Sequence, residues 1–276
     1  MSLTSTLTLN NGTKIPAIGL GVYKAEPGDE VYYAVRSALE LGYRHIDTAS
    51  LYANEEGVGQ AIKDSGIPRE ELFVTTKVWN DEQGFKETKE AFQRSLEQLQ
   101  MDYVDLYLVH WPVTGKFIET YKALEDIYRS GQAKAIGVSN FEPHHLEELL
   151  KETKIVPAVN QVELHPQLQQ KEVRAFGEAH QILTEAWAPL GKARYFDHPV
   201  LTELAEKYDK KPSQIIVRWQ YQSGIITIPK SVHKERQQEN VDIFDFELSA
   251  KDIHKIEQMD ANYRLGKHPD EFDYEA

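Results

Sequence analysis

Short runs of apolar and β-branched residues alternate along this chain with longer stretches whose apolar positions recur every three to four residues. After TLTLNNGTKIP, which reads as a hairpin turning at Asn11-Gly12, the runs are IPAIGLG (15–21), HIDTA (45–49), LFVTTKVW (72–79), YVDLYLVHW (103–111), KAIGVS (134–139), AVNQVEL (158–164), ILTEAWAPL (182–190) and IITIPKS (225–231). Amphipathic stretches such as 29–42, 85–101 and 116–131 lie between them, several closed by a glycine. Strict alternation implies parallel strands joined by right-handed crossovers. Eight such units in 276 residues favour a closed (β/α)8 TIM barrel. An open dinucleotide-binding sheet would carry G-x-G-x-x-G after a strand, whereas Gly19-Leu20-Gly21 runs into Val22-Tyr23-Lys24. Two helical stretches (198–209 and 212–224) stand where one would do, and another (249–260) precedes a polar tail, so extra C-terminal helices are expected. No linker or repeat divides the chain, which reads as one domain, 1–276.

Composition narrows the chemistry. Apolar residues make up 41% and charged residues 27%, enough for a full core. With no cysteine, disulfides, thiolate metal sites and a cysteine nucleophile are excluded. No targeting segment or membrane-length apolar run is present, which predicts a cytoplasmic protein. The net charge of −13 repels nucleic acid and anionic membranes, so neither is expected as a partner, and any local basic cluster becomes informative. No long exposed apolar segment asks for a second copy, so a monomer is expected.

In a barrel of this kind the chemistry sits at the C-terminal ends of the strands. Those ends carry Asp47 and Tyr52, Lys77, His110, Ser139-Asn140, Gln161, Trp187 and Lys230-Ser231. Taken singly each has a bland explanation: Asp47 as a cap, Tyr52 as packing, Lys77 reaching solvent, His110 as a core histidine. Together they suggest a pair in which Asp47 orients Lys77. The Lys77 ammonium would lower the pKa of Tyr52, making it a general acid toward a carbonyl oxygen that His110 orients. Protonating a carbonyl is half of a reduction, and the other half needs a nicotinamide cofactor. Asn140 and Gln161 can pair with its carboxamide, and Trp187 offers a stacking face. Lys230, His233, Lys234 and Arg236 cluster at a strand-to-helix junction where these barrels bind phosphate. Lys230 and Arg236 there suit a 2′-phosphate, hence NADPH over NADH. His165 and Glu163 lack the companions of a metal site, His144-His145 reads as a solvated helix start, and no metal is expected.

The segments GYRHIDTASLYANEEGVG (42–59), AIGVSNF (135–141) and IPKSVHKERQQEN (228–240), with the lysine of VTTKVW and the histidine of LVHWP, closely resemble the aldo-keto reductases over nearly the whole chain. The resemblance implies a barrel closed below by an N-terminal hairpin, reducing aldehydes and ketones with NADPH and no metal. It assigns catalysis to Asp47, Tyr52, Lys77 and His110, and carboxamide contacts to Ser139, Asn140 and Gln161. It gives Lys230, Ser231, Val232 and Arg236 the adenosine phosphate, and Glu239 and Asn240 the adenine. Trp187 stands where many relatives have tyrosine, and Tyr23 where many have tryptophan. The short loops WPVTGKF (111–117) and GKARYFDHP (191–199) resemble the compact microbial branch of 2,5-diketo-gluconate and methylglyoxal reductases.

Tyr23, Trp79 and Trp111, with His110, are the expected walls of a shallow substrate pocket, which predicts broad acceptance of small aldehydes, α-ketoaldehydes or keto-sugars. The alternative is a non-catalytic nicotinamide sensor on the same barrel, for which an intact set of Asp47, Tyr52, Lys77 and His110 would be unnecessary.

Overall fold

A computed structural model describes residues 2–272. A hairpin of β1 (Thr6–Thr8) and β2 (Lys14–Pro16) precedes the barrel strands β3 (Leu20–Gly21), β4 (His45–Asp47), β5 (Phe73–Val78), β6 (Val104–Val109), β7 (Ala133–Ser139), β8 (Val159–Glu163), β9 (Leu183–Trp187) and β10 (Ile226–Thr227). These eight pair in parallel and in sequence order. Backbone bonds from Gly19 N to Thr227 O (2.9 Å) and Thr227 N to Ala17 O (3.0 Å), with parallel bridges Ile18–Thr227 and Gly21–Lys230, join the first strand to the last. The expected (β/α)8 barrel is present and closed.

The glycines of Gly19-Leu20-Gly21 belong to this seam. A Cβ on Gly21 would sit 2.8 Å from the Ile228 carbonyl oxygen, and one on Gly19 would meet the His45 ring at 2.6 Å. The first expected strand (15–21) divides in two, because Ile15 pairs with Leu7 in the hairpin while Leu20 pairs with Ile46 in the barrel. One straight strand cannot serve both partners.

The helices are α1 (Asp29–Glu40), α2 (Glu55–Ser65), α3 (Phe85–Leu99), α4 (Phe117–Ser130), α5 (Pro143–Glu152), α6 (Lys171–His180), α7 (Pro199–Tyr208), α8 (Pro212–Gln222), α9 (Lys234–Val241) and α10 (Ala250–Glu257). The two helices between β9 and β10 and the one after α9 are the expected additions. Most barrel helices turn an apolar stripe inward, as α4 does with Phe117, Tyr121, Leu124 and Ile127, whereas α9 buries Gln237 and Asn240. That helix ends at Gly131, in the left-handed region at φ 82°, whereas α3 stops when Gln100 adopts the same geometry at φ 55°.

Leu7, Leu9 and Ile15 of the hairpin pack with Phe73, Leu106, Ala158 and Ile226 inside the barrel. Its turn is tied to the chain just before β8 by Asn10 Nδ2 to Pro157 O, 3.0 Å. That plugs the N-terminal end and leaves the other rim for chemistry.

Candidate active site

Asp47 ends β4, and the chain then winds through a 3-10 turn (Ser50–Tyr52) that folds Tyr52 back over the strand end. Asn54 holds the loop in place: its amide donates to the carbonyls of Val22 (3.0 Å) and Ala25 (3.1 Å) and accepts from the Thr48 hydroxyl at 2.8 Å. Lys77, on β5, is fully buried. Its ammonium donates to Asp47 Oδ1 (2.6 Å), the Thr48 carbonyl (3.0 Å) and the Tyr52 hydroxyl oxygen (3.4 Å). An ammonium has three hydrogens, so these bonds use it fully. The Tyr52 oxygen accepts, and its own O–H is left to point elsewhere.

His110 follows β6, with its ring 5.8 Å from that of Tyr52 and 5.0 Å from that of Trp79, both edge-on. Tyr23 tilts against Tyr52 at 5.1 Å and is half exposed. Trp111 is stacked at 4.4 Å on Phe272. The four residues expected to catalyse and the expected walls Tyr23 and Trp79 therefore meet at one rim, with Trp111 next to His110 in the chain.

The polar residues of β7 to β9 are adjacent too, with partners of their own. Asn140, at φ 63°, donates to the His110 carbonyl (3.0 Å) and accepts from Trp187 Nε1 (2.8 Å), while Ser139 donates to the Gln161 carbonyl at 2.7 Å. The Gln161 amide nitrogen donates to Asp47 Oδ2 (2.8 Å) and to Glu185 Oε2 (3.1 Å). Gln161 Oε1 has no partner among the described residues, so an acceptor remains for an incoming amide.

Burial raises the Asp47 carboxyl, against the pull of Lys77 and Gln161. For Lys77 burial opposes the charge, but Asp47, Tyr52 and Glu185 outweigh it and hold the ammonium above the ordinary lysine value. Burial pushes Tyr52 up to about 12, and Lys77 only partly offsets this. The expected lowering of Tyr52 is thus corrected: desolvation of a phenolate wins over one nearby cation. The phenol keeps its proton across the neutral range. Burial, then the Lys77 charge, hold His110 well below the usual histidine range, so its ring is neutral.

At the far side of the rim, Lys230 and Arg236 are exposed and have no ion-pair partner among the described residues, while Lys234 is tied to Glu40 at 2.7 Å. The first turn of α9 carries no side-chain cap, and while the Arg236 amide donates to the His233 carbonyl (3.1 Å), those of Lys234 and Glu235 have no partner among the described residues. Two free cations on an acidic protein, beside open helix amides, fit a phosphate. Ser231 is buried next to them, with its hydroxyl accepting from the His233 amide at 3.1 Å. Glu239 is held by Lys211 and Ser213, both at 2.5 Å, and Asn240 is buried one residue on.

The aldo/keto reductase family model matches residues 17–261. This chain belongs to the aldo/keto reductase family. It is 53% identical over 270 residues to glyoxal reductase of Bacillus subtilis, covering 98% of each chain. It is 46% identical over 276 residues to methylglyoxal reductase DkgA of Escherichia coli, covering 99% of each. The crystal structure of a Bombyx mori aldo-keto reductase in complex with NADP superposes with a TM-score of 0.92 at 36% identity, over 98% of this chain and 97% of that one.

Residues that sequence reasoning passed over complete the site of this aldo/keto reductase. The stretch read as a polar tail is a strap across the rim. Glu163 accepts from the amides of Leu265 (2.6 Å) and Gly266 (2.8 Å) and from His165 (3.0 Å), Arg264 reaches Glu142 at 2.7 Å, and Phe272 covers Trp111. His144 and His145 meet Asp270 Oδ1 at 3.0 and 3.3 Å, so the pair read as solvated fastens the strap to α5. His145 Nδ1 accepts from the Glu142 amide at 3.1 Å, which puts its proton on Nε2, facing Asp270. That tautomer suits a hydrogen-bonded latch and not a metal ligand. Glu185 was also overlooked. Period-2 alternation places it on the same face as Trp187, which was the available signal.

Proposed function

We propose that this aldo/keto reductase is an NADPH-dependent carbonyl reductase for small aldehydes, α-ketoaldehydes or keto-sugars, with Tyr52 as the proton donor. The observation that carries this reading is the threefold donation of Lys77, which makes the Tyr52 oxygen an acceptor and turns its O–H outward beside a neutral His110. NADPH, when bound, supplies the hydride. Lys230, Ser231, Val232 and Arg236 would hold its adenosine phosphate, Glu239 and Asn240 its adenine, Ser139, Asn140 and Gln161 its carboxamide, and Trp187 the nicotinamide face. Asp47 keeps Lys77 charged and in place. As negative charge gathers on the substrate oxygen, His110 donates a hydrogen bond that orients it and Tyr52 hands over its proton. Tyr23, Trp79 and Trp111 exclude water with few polar anchors, which favours breadth over tight selection. The names glyoxal reductase and methylglyoxal reductase among the relatives support α-dicarbonyls as first substrates.

The test is NADPH oxidation with glyoxal, methylglyoxal and a keto-sugar acid, run beside Tyr52→Phe. The variant is expected to lose on the order of 10²–10⁴-fold in turnover while its NADPH dissociation constant stays within a factor of about two. Turnover left intact by the substitution would sink the assignment.

A further inference from the structure

Glu185 lies on β9 with none of its side chain exposed, and only one ammonium is available to two carboxylates there. Lys77 gives its short bond to Asp47 Oδ1, and the two carboxylates share the amide nitrogen of Gln161, which reaches Asp47 Oδ2 at 2.8 Å and Glu185 Oε2 at 3.1 Å. Glu185 Oε1 has no hydrogen-bond partner among the described residues, and His45 Nε2 stands 3.6 Å from it. Its charged and titratable neighbours are Asp47 and His45 from β4 and Lys77 from β5. The strand β8 presents neutral Gln161, and β10 pairs through Ile226.

An un-ionised acid fits this place, and an ionised one would be a second, uncompensated negative charge. Burial first, then the Asp47 charge, push its pKa up to about 8, against smaller pulls from Gln161 and Lys77. His45 is held neutral, its pKa lowered to about 3 chiefly by burial, so it does not compensate. Burial and the Asp47 charge thus favour the un-ionised acid at neutral pH.

We propose that Glu185 is a positioning residue whose proton tells the oxidised from the reduced cofactor: un-ionised, it leaves the Lys77 ammonium to Asp47, and ionised, it favours a cationic nicotinamide at the rim above it. This rests on the proposed cofactor site, since Glu185 acts through Gln161 and lies two residues before Trp187. By linkage, whatever favours the ionised acid is favoured by it in turn, so NADP+ binding expels the Glu185 proton.

The experiment compares wild type with Glu185→Gln, which preserves shape and removes the titration. Calorimetric titration of NADP+ near pH 8, in buffers of different ionisation enthalpy, is expected to show proton release in the wild type that is missing in the variant. The wild-type affinity for NADP+ relative to NADPH is expected to rise on the order of tenfold between about pH 6.5 and about pH 9.5, and to stay flat in the variant. Equal proton release by both proteins, or a flat wild-type ratio, overturns the proposal. Should the variant not fold, infrared spectra of the unliganded wild type decide. A carboxylic-acid C=O band that disappears with a midpoint near the pKa of about 8 upholds the proposal, and its absence at pH 6 refutes it. Neither readout uses an aldehyde: proton exchange through Glu185 in a protein that reduces nothing would overturn the reductase reading alone, and failure to bind either form of the cofactor would overturn both.

Discussion

Lys77 has no exposed surface, and its charge survives there because three oxygens receive its three hydrogens. Tyr52 holds its proton for a different reason, burial, which outweighs the pull of Lys77, and Gln161 is divided between two acids because a single ammonium serves only one of them. Arg236 is the opposite case, an exposed cation with no ion-pair partner among the described residues. Arg236→Ala is expected to weaken NADPH by roughly 1–3 kcal/mol and to leave NADH nearly unchanged, measured by fluorescence titration of each. Equal weakening would mean that Arg236 does not read the 2′-phosphate. At this scale the sequence was legible where residue type and position at a strand end bring groups together, as with Asp47, Tyr52, Lys77 and His110. It was illegible where burial decides the sign of an effect. The direction of the Tyr52 shift depends on how much water the barrel rim excludes, which no local stretch records.

Among the elements, the strap that follows α10 is held at its centre by Glu163, at the end of β8. Glu163→Ala is expected to leave the barrel folded: the Leu265 and Gly266 amides it releases lie near the surface, and the buried His165 ring, which also loses a partner, is neutral once Glu163 is gone. Amide exchange at Leu265 and Gly266 should quicken at least about tenfold, the effect of losing roughly 1.4 kcal/mol of protection. KM for the aldehyde should rise more than kcat falls, since Phe272 would no longer be held over Trp111. Unchanged exchange at both amides would show that Glu142 and Asp270 suffice to hold the strap. The strap escaped sequence reading because it has no period. Its order comes from carboxylates more than a hundred residues away, Glu142 and Glu163. The barrel strands and helices were legible because each buries one regular face, whereas the split of the first strand was not, since it depends on where the hairpin and the seam find partners.

Over the whole molecule a net charge of −13 opposes the approach of an anionic cofactor, while Lys230 and Arg236 attract it only at close range. Raising the ionic strength from about 0.01 M to about 0.15 M shortens the screening length from roughly 30 to 8 Å. The association rate of NADPH should therefore rise and its dissociation rate rise further, measured by stopped-flow quenching of tryptophan fluorescence. In Arg236→Ala the salt dependence of association should persist and that of dissociation should shrink. A wild-type association rate that falls with salt would mean that the basic cluster steers from a distance. None of the described helices is long and apolar enough to cross a membrane.

Hydrophobic periodicity by itself determined the order of strands and helices, and with it the barrel, because that pattern is local and each element must bury the face it carries. Residue type at the strand ends determined the family chemistry, because Asp47, Lys77, Tyr52 and His110 lie where parallel strands bring their ends together. Only the tertiary structure decided how Gln161 is shared, that Glu185 lies buried beside Asp47 and Lys77, and that the tail crosses the rim. Each of those depends on distance and on the exclusion of water between residues far apart in the chain, and neither quantity is written in any one segment.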